Sequence, residues 1–407
     1  MEPSALKIFL YKMKRKCIRF FSWFPYKGLK KYDLIIYDDI YPHPISGFRL
    51  EEFTVLLEQF KNSKIIIKPL AYPHLKTPIE QHKADIECFT AVKKSLLGKI
   101  QSIERLTNIN TKLFYCVFLF NIYRNLVWLE KYKIPFVFTL YPGGGFQVGD
   151  LISDQKLQKV LASSQFRKVI VTQLYTKEYL IKNNFCEANK IEYIFGCVVP
   201  QLSLNENISF GKKYPNKETF DIVFCAAKYM PKGLDKGYDV FVALAHSLIK
   251  KYDFVRFHVV GGFDKEEIDV TLLDGIITFY GYQKFDDLAT IYQKTEVIVS
   301  PNKPFVQGKG AFDGFPLGTA IEAVLNSVVA IVTDELNQNT VFENGKEIII
   351  TNCDVISIEK EIINLIQNPE KLFDVSQKGR DKFLEIYSND YQMNPRIKLL
   401  TEEIERK

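Results

Sequence analysis

EVIVSPNKPFVQGKGAFDGFPLGTAIEAVLNSVVAIVTDE, residues 296–335, reads as strand, loop, helix and strand in succession. The apolar run EVIVS (296–300) ends at Ser300, and a loop carrying Gly308, Gly310, Gly314 and Gly318 follows. A helix begins near Thr319, and VVAIVTD (328–334) is a second apolar run. Runs this short, bounded by turn residues, are those of strands buried on both faces. Two such strands joined through a helix pair in parallel, so this stretch predicts an open α/β sheet.

The same alternation extends outward. FDIVFCAA (220–227), a helix over 238–251, VRFHVVGG (255–262), IITFYG (276–281) and a helix over 285–294 precede it. EIIIT (347–351) and helices after 356 follow. Upstream, DLIIYD (33–38), KIIIKP (64–69), PFVFTL (135–140), KVIVTQ (168–173) and IEYIFG (191–196) read as strands. RLEEFTVLLEQF (49–60), KEYLIKNN and a long region from about 80 to 130 read as helical, with LFYCVFLF (113–120) as a buried helix. PQLSLNENISFGKKYPNKET breaks the alternation. It is polar and without period, as an interdomain connection would be. The expected architecture is α/β: two doubly wound, Rossmann-like parallel-sheet domains facing a central cleft. The first spans 32–200, the linker 201–219 and the second 220–390; a segment 1–31 precedes them and a helix over 391–407 closes the chain.

Composition bounds the function. The 47% hydrophobic and 25% charged content of the 407 residues is that of a soluble globular protein, and excludes a disordered one. Residues 1–31 hold nine bases against Glu2, a charge of +8, so that with a total of +6 the rest of the chain carries −2. A near-neutral body argues against nucleic acid as partner. The seven cysteines are scattered and form no CxxC pair, and the five histidines show no ligand spacing, so no metal or cofactor is expected. No apolar run reaches the ~18 residues of a membrane span, and Arg19 interrupts any signal-peptide core, which places the protein in the cytoplasm.

Two loops carry the chemistry. In the second domain the glycines of 308–318 let backbone approach a ligand, and free amides at the helix start suit a phosphate. Asp313 at the loop and Glu322 in the helix could accept hydrogen bonds from sugar hydroxyls, or merely favour the helix N-terminus electrostatically. FCAAKYMPKGLDKGYDVFVAL (224–244) sets Lys228, Lys232 and Lys236 in one loop after a strand. Such bases can neutralise a leaving diphosphate, or simply be solvated. A loop position implies that replacing Lys236 would cost turnover and hardly any stability.

The order of these pieces resembles the retaining nucleotide-sugar glycosyltransferases of family four, which are glycosyl transferases group 1 with the GT-B fold. The likeness covers most of 165–390, carried by KIEYIFGCVVP (190–200), KYMPKGLDKGYDVF (228–241), ITFYGYQKFDDLATIYQKTEVIVSPN (277–302), DGFPLGTAIEA (313–323) and NGKEIIITNCDVISIEKEIINLIQNPEKL (344–372). It implies that Lys236 contacts the donor diphosphate, with Lys228 or Lys232 in place of the family's arginine. It assigns Glu322 to the ribose and Asp313 to the transferred sugar. Backbone contacts would come from Gly314, Phe315, Pro316, Leu317, Gly318 and Thr319. The acidic motif departs from the family: eight residues, not the usual seven, separate Asp313 from Glu322, and the first acid is an aspartate.

In the first domain the resemblance sets Gly47 of DDIYPHPISGFRLEEF (38–53) in the family's glycine loop facing the donor. His43 and Arg49 could reach the cleft from the acceptor side, although a lone loop histidine is more often structural. LYPGGGF (140–146) is an acceptor-side loop or a plain flexible turn, with Tyr141 where the family often has a histidine. KIFLYKMKRKCIRFFSWFPYKGLKK (7–31) interleaves bases with aromatics. It would lie on an anionic membrane surface, making the enzyme peripheral at the inner face, or pack on the first domain. The expected function is transfer of a sugar from a nucleoside-diphosphate sugar donor, with retention, onto a surface-glycan or lipid-linked acceptor such as a capsule or lipopolysaccharide unit. The alternatives are an epimerase-like or phosphorylase-like enzyme of the same fold, and a non-catalytic membrane-associated scaffold.

Overall fold

The computed structural model describes residues 31–43, 46–68, 79–102, 109–200 and 213–406, with Met13. The aromatic-basic segment ahead of Lys31 lies outside them almost entirely, as does the linker over 201–212.

Among the described residues seven parallel strands make the first sheet: β1 (Lys31–Asp38), β2 (Ser63–Ile67), β3 (Ile100–Ser102), β4 (Asn110–Val117), β5 (Phe136–Leu140), β6 (Phe166–Val171) and β7 (Ile191–Tyr193). Their order is β3-β2-β1-β4-β5-β6-β7. The crossover helices are α1 (Gly47–Gln59), α2 (Ile79–Val92), α3 (Leu119–Tyr132), α4 (Leu151–Leu161) and α5 (Leu174–Lys182). Successive residues of the central strands enter opposite cores: Ile35, Phe114 and Phe138 one, Ile36, Tyr115 and Val137 the other. Both faces are therefore covered, which is why these strands read as unbroken apolar runs.

That covering also hid one strand. Residues 113–117 of LFYCVFLF are the central strand β4, flanked by β1 and β5, and the helix α3 starts only at Leu119. The stretch expected as one helical region is α2, β3, β4 and α3. A run buried on both faces has no alternation, so period alone does not separate strand from helix.

Among the described residues the second sheet has six parallel strands: β8 (Phe220–Cys225), β9 (Val255–Val260), β10 (Ile277–Gly281), β11 (Val297–Ser300), β12 (Val329–Val332) and β13 (Ile349–Ile350). Their order is β10-β9-β8-β11-β12-β13. Around them lie α6 (Tyr238–Leu248), α7 (Phe285–Gln293), α8 (Gly318–Leu325), α9 (Val355–Gln367) and α10 (Pro369–Ile386). The strand order reverses between β8 and β11, and a ligand crevice opens outside the carboxyl ends of strands at such a point. The last helix, α11 (Asn389–Glu405), returns to the first domain. There Met393 and Leu400 share a core with Leu34, Ile36 and Tyr115. Gln392 Nε2 ties the crossing by donating to the carbonyls of Phe195 (2.8 Å) and Ile386 (2.9 Å).

Candidate active site

The loops after β8 and β11 meet at the strand-order reversal. From the first comes Lys236, at the end of a short turn in which Lys232 and Gly233 take left-handed φ values of 57° and 54°. Gly237 follows at φ 69°, and a Cβ there would lie 2.0 Å from the Pro301 carbonyl oxygen. Only glycine allows the two loops to approach this closely.

Lys236 is 3% exposed, and its Nζ stands 2.5 Å from Asp313 Oδ2 and 3.8 Å from Asp235 Oδ2. The Tyr229 ring covers the ammonium, with its centroid 4.9 Å away. A buried ammonium with two carboxylates is not the solvated lysine that was the other reading of this loop, and it ties Lys236 to stability as well. Asp235 is buried as well, and neither of its side-chain oxygens has a hydrogen-bond partner among the described residues. Burial raises its carboxyl pKa above the usual range, against the pull of Lys236. Lys228 is engaged differently: its Nζ pairs with Glu267 at 2.6 Å, and that carboxylate also accepts the Lys232 backbone N–H at 2.9 Å. The Lys232 side chain itself is exposed.

The second loop leads into α8. No side chain caps this helix at Leu317, so the amides of its first turn are left for an anion. The Thr319 hydroxyl donates to the Cys225 carbonyl (2.7 Å) and fixes the helix start on the end of β8. Glu322 lies one turn on, half-buried near Cys197, Cys225 and Tyr292. Burial alone pushes its carboxyl up to about 7. The Phe315 amide is engaged within the protein, donating to Gln173 Oε1 of the first domain at 3.2 Å. A Cβ on Gly314 would stand 3.1 Å from the same glutamine. Nearby, Val148 N–H donates to the Gly310 carbonyl (2.9 Å), and Phe312 packs edge-on against Phe146 and Tyr175. The loop that carries Asp313 is thus docked across the cleft.

On the first-domain side, Gly47 opens α1, and a Cβ there would lie 3.0 Å from Pro200 Cγ. Arg49 Nη1 lies between Asp38 (3.0 Å) and Asp39 (2.8 Å), which offset its charge. His43 is half-buried in the turn after β1, its amide donating to the Ile40 carbonyl. Tyr141 is buried, and its hydroxyl donates to Glu52 Oε2 at 2.9 Å within a network that includes Tyr115 and Arg396. The structure brings Lys236 and Asp313 into contact and engages Lys228, Arg49 and Tyr141 elsewhere. Reading the sequence missed Asp235, Tyr229 and Gln173. Asp235 was in view as the neighbour of Lys236, whereas nothing local marks Gln173 as a cross-domain partner. Among the described residues no three His, Cys, Asp or Glu side chains gather so that they could hold a metal ion.

Residues 209–382 match the family model described as glycosyl transferases group 1. A glycosyltransferase from Rickettsia africae ESF-5 superposes with a TM-score of 0.65 at 14% identity, covering 93% of this chain and all (100%) of that one. Anabaena HepE in complex with UDP gives 0.62 at 11% identity, over 92% and 100% of the two chains. Sucrose-phosphate synthase from Thermosynechococcus elongatus gives 0.61 at 14%, over 92% and 98%. None of the curated proteins compared with the sequence matches it.

Proposed function

We propose that this chain, which has the GT-B fold and matches the glycosyl transferases group 1 model over residues 209–382, is a glycosyltransferase that moves a sugar, with retention, from a nucleoside-diphosphate donor onto a surface-glycan or lipid-linked acceptor. One observation carries the donor site: the Lys236 ammonium is buried at the mouth of the second sheet against the carboxylate of Asp313, in the loop that leads into the uncapped start of α8. A diphosphate entering there would take over Lys236 from Asp313 and accept the α8 amides. As the glycosyl bond breaks, charge builds on the leaving phosphate, and a preorganised ammonium stabilises it. Glu322, once ionised, accepts hydrogen bonds from ribose hydroxyls, and Asp313, released from Lys236, is free to meet the sugar. Structures of Anabaena HepE with UDP and with UDP-glucose support a nucleotide-sugar donor.

The acceptor side is the first domain, and the basic segment ahead of Lys31 would hold the enzyme at an anionic membrane where a lipid-linked acceptor lies. Among the described residues no helix is long and apolar enough to cross a membrane. A thermal-shift panel of nucleotide sugars tests the donor assignment, because a ligand that binds the native state raises its melting temperature. Sugar release only when an acceptor is supplied separates transfer from epimerase-like or phosphorylase-like chemistry. If no nucleotide sugar shifts the melting temperature, the donor reading fails.

A further inference from the structure

At the edge of the first sheet away from the cleft lies a cavity of about 400 Å³, lined by Ser163, Ser164, Arg167, Lys168, Lys190 and Arg406 among others. Strand β6 begins there at Phe166 and ends at Val171, two residues before Gln173 at the cleft, so the strand alone puts roughly 17 Å between the two sites. Four bases line the cavity, and Glu187 is the one acid among the described lining residues. This excess sits on a body whose net charge beyond residue 31 is −2. Chance clustering of like charges is costly in a concave site, where field lines are focused.

The side chains are held in place. Lys168 Nζ donates to the Asn189 carbonyl at 2.5 Å, and Lys190 Nζ lies 5.7 Å from the Phe166 ring centroid. Arg406 is shared with Glu403 at 3.3 Å. The half-buried Arg167 makes no hydrogen bond or ion pair to any described residue, which leaves its forked donors to a ligand. Ser163 Oγ accepts from the Gln165 amide (3.4 Å) and Ser164 Oγ from Gln165 Nε2 (3.0 Å), so both hydroxyls keep a proton to donate.

We propose that this cavity binds a phosphate-bearing anion, through the Arg167 fork, the point charges of Lys168 and Lys190, and the two serine hydroxyls. Planar, forked donors beside ammonium groups are the chemistry that recognises phosphate oxygens. The volume lies in the range of small-ligand sites, large enough for a diphosphate or a lipid headgroup. The site is independent of the transfer reaction.

Isothermal titration of the full chain with inorganic pyrophosphate tests the proposal, alongside flotation with phosphatidylcholine vesicles with and without phosphatidylglycerol. Arg167→Glu/Lys190→Glu should weaken the affected probe about tenfold or more, since each charge-assisted bond alone is worth about that factor. Lys236→Ala, which disables the cleft, should leave this binding intact, and sugar transfer by the charge-reversed protein should be unchanged. Sensitivity of the pyrophosphate titration to the double change assigns a soluble anion, and sensitivity of flotation alone assigns a lipid headgroup. If neither probe distinguishes the double variant from the wild type, the proposal is overturned. Should charge reversal prevent folding, Arg167→Gln/Lys190→Gln makes the same comparison.

Discussion

Replacing Glu322 by glutamine should change the pH dependence of stability in a calculable way. Burial puts the folded-state pKa at about 7 against an ordinary value of 4.5. Between these values the native protein keeps a proton that the unfolded chain has released, so stability falls as pH rises through that window. Below it both states are protonated and the residue contributes nothing; above it the full cost is present. The displacement corresponds to about 3 kcal/mol, and partial solvent access of the half-buried carboxylate lowers the expected change between about pH 5 and about pH 8 to about 2 kcal/mol. Glu322→Gln carries no charge to desolvate, so its stability relative to the wild type should rise by that amount over the same interval. Urea denaturation of both proteins at the two pH values measures the difference. UDP titrations should run parallel to it, with wild-type affinity rising as the carboxyl ionises and the variant lacking that component. Superimposable pH profiles would refute the placement of Glu322 as a half-buried carboxyl with no cation paired to it among the described residues.

Lys236→Ala should lower turnover roughly a hundredfold, as removal of one preorganised electrostatic stabiliser does. Because Asp235 and Asp313 then lose their cation, it should also cost about 3 kcal/mol of stability; an active variant with unchanged melting temperature would contradict both roles. Asp313→Asn should chiefly alter discrimination among donor sugars in a competition assay, and equal ratios in variant and wild type would remove it from the sugar site. Gly310→Ala places a Cβ 1.8 Å from the Val148 carbonyl oxygen at φ 71°. Left-handed strain alone is about 1–2 kcal/mol, so a lower melting temperature and a wider pair of domains by small-angle scattering are expected; unchanged values in both would show that the cross-domain contact carries no load. Deleting residues 1–30 should abolish co-sedimentation with anionic liposomes while sparing transfer to a soluble acceptor analogue, and an unfolded truncation would assign the aromatics to the first domain's core.

The alternation of apolar runs with amphipathic stretches was legible along nearly the whole chain, because a parallel sheet covered on both sides demands it. From it followed the strands of the second domain, the helix near Thr319 and the doubly wound class. Glycines followed by bases in the loops after β8 and β11 marked the region of the site, since a close backbone approach and a phosphate both leave local traces. Tertiary structure decided what local pattern does not encode. It showed residues 113–117 as a central strand, which a doubly buried apolar run conceals. It buried Lys236 beside Asp235 and against Asp313, and the latter contact depends on how two loops seventy-seven residues apart are folded. It set Arg49 against Asp38 and Asp39 and Tyr141 against Glu52, partners that no local pattern announced. Periodicity reports which face of an element is covered; which charge meets which across the cleft is settled only when both sheets are in place.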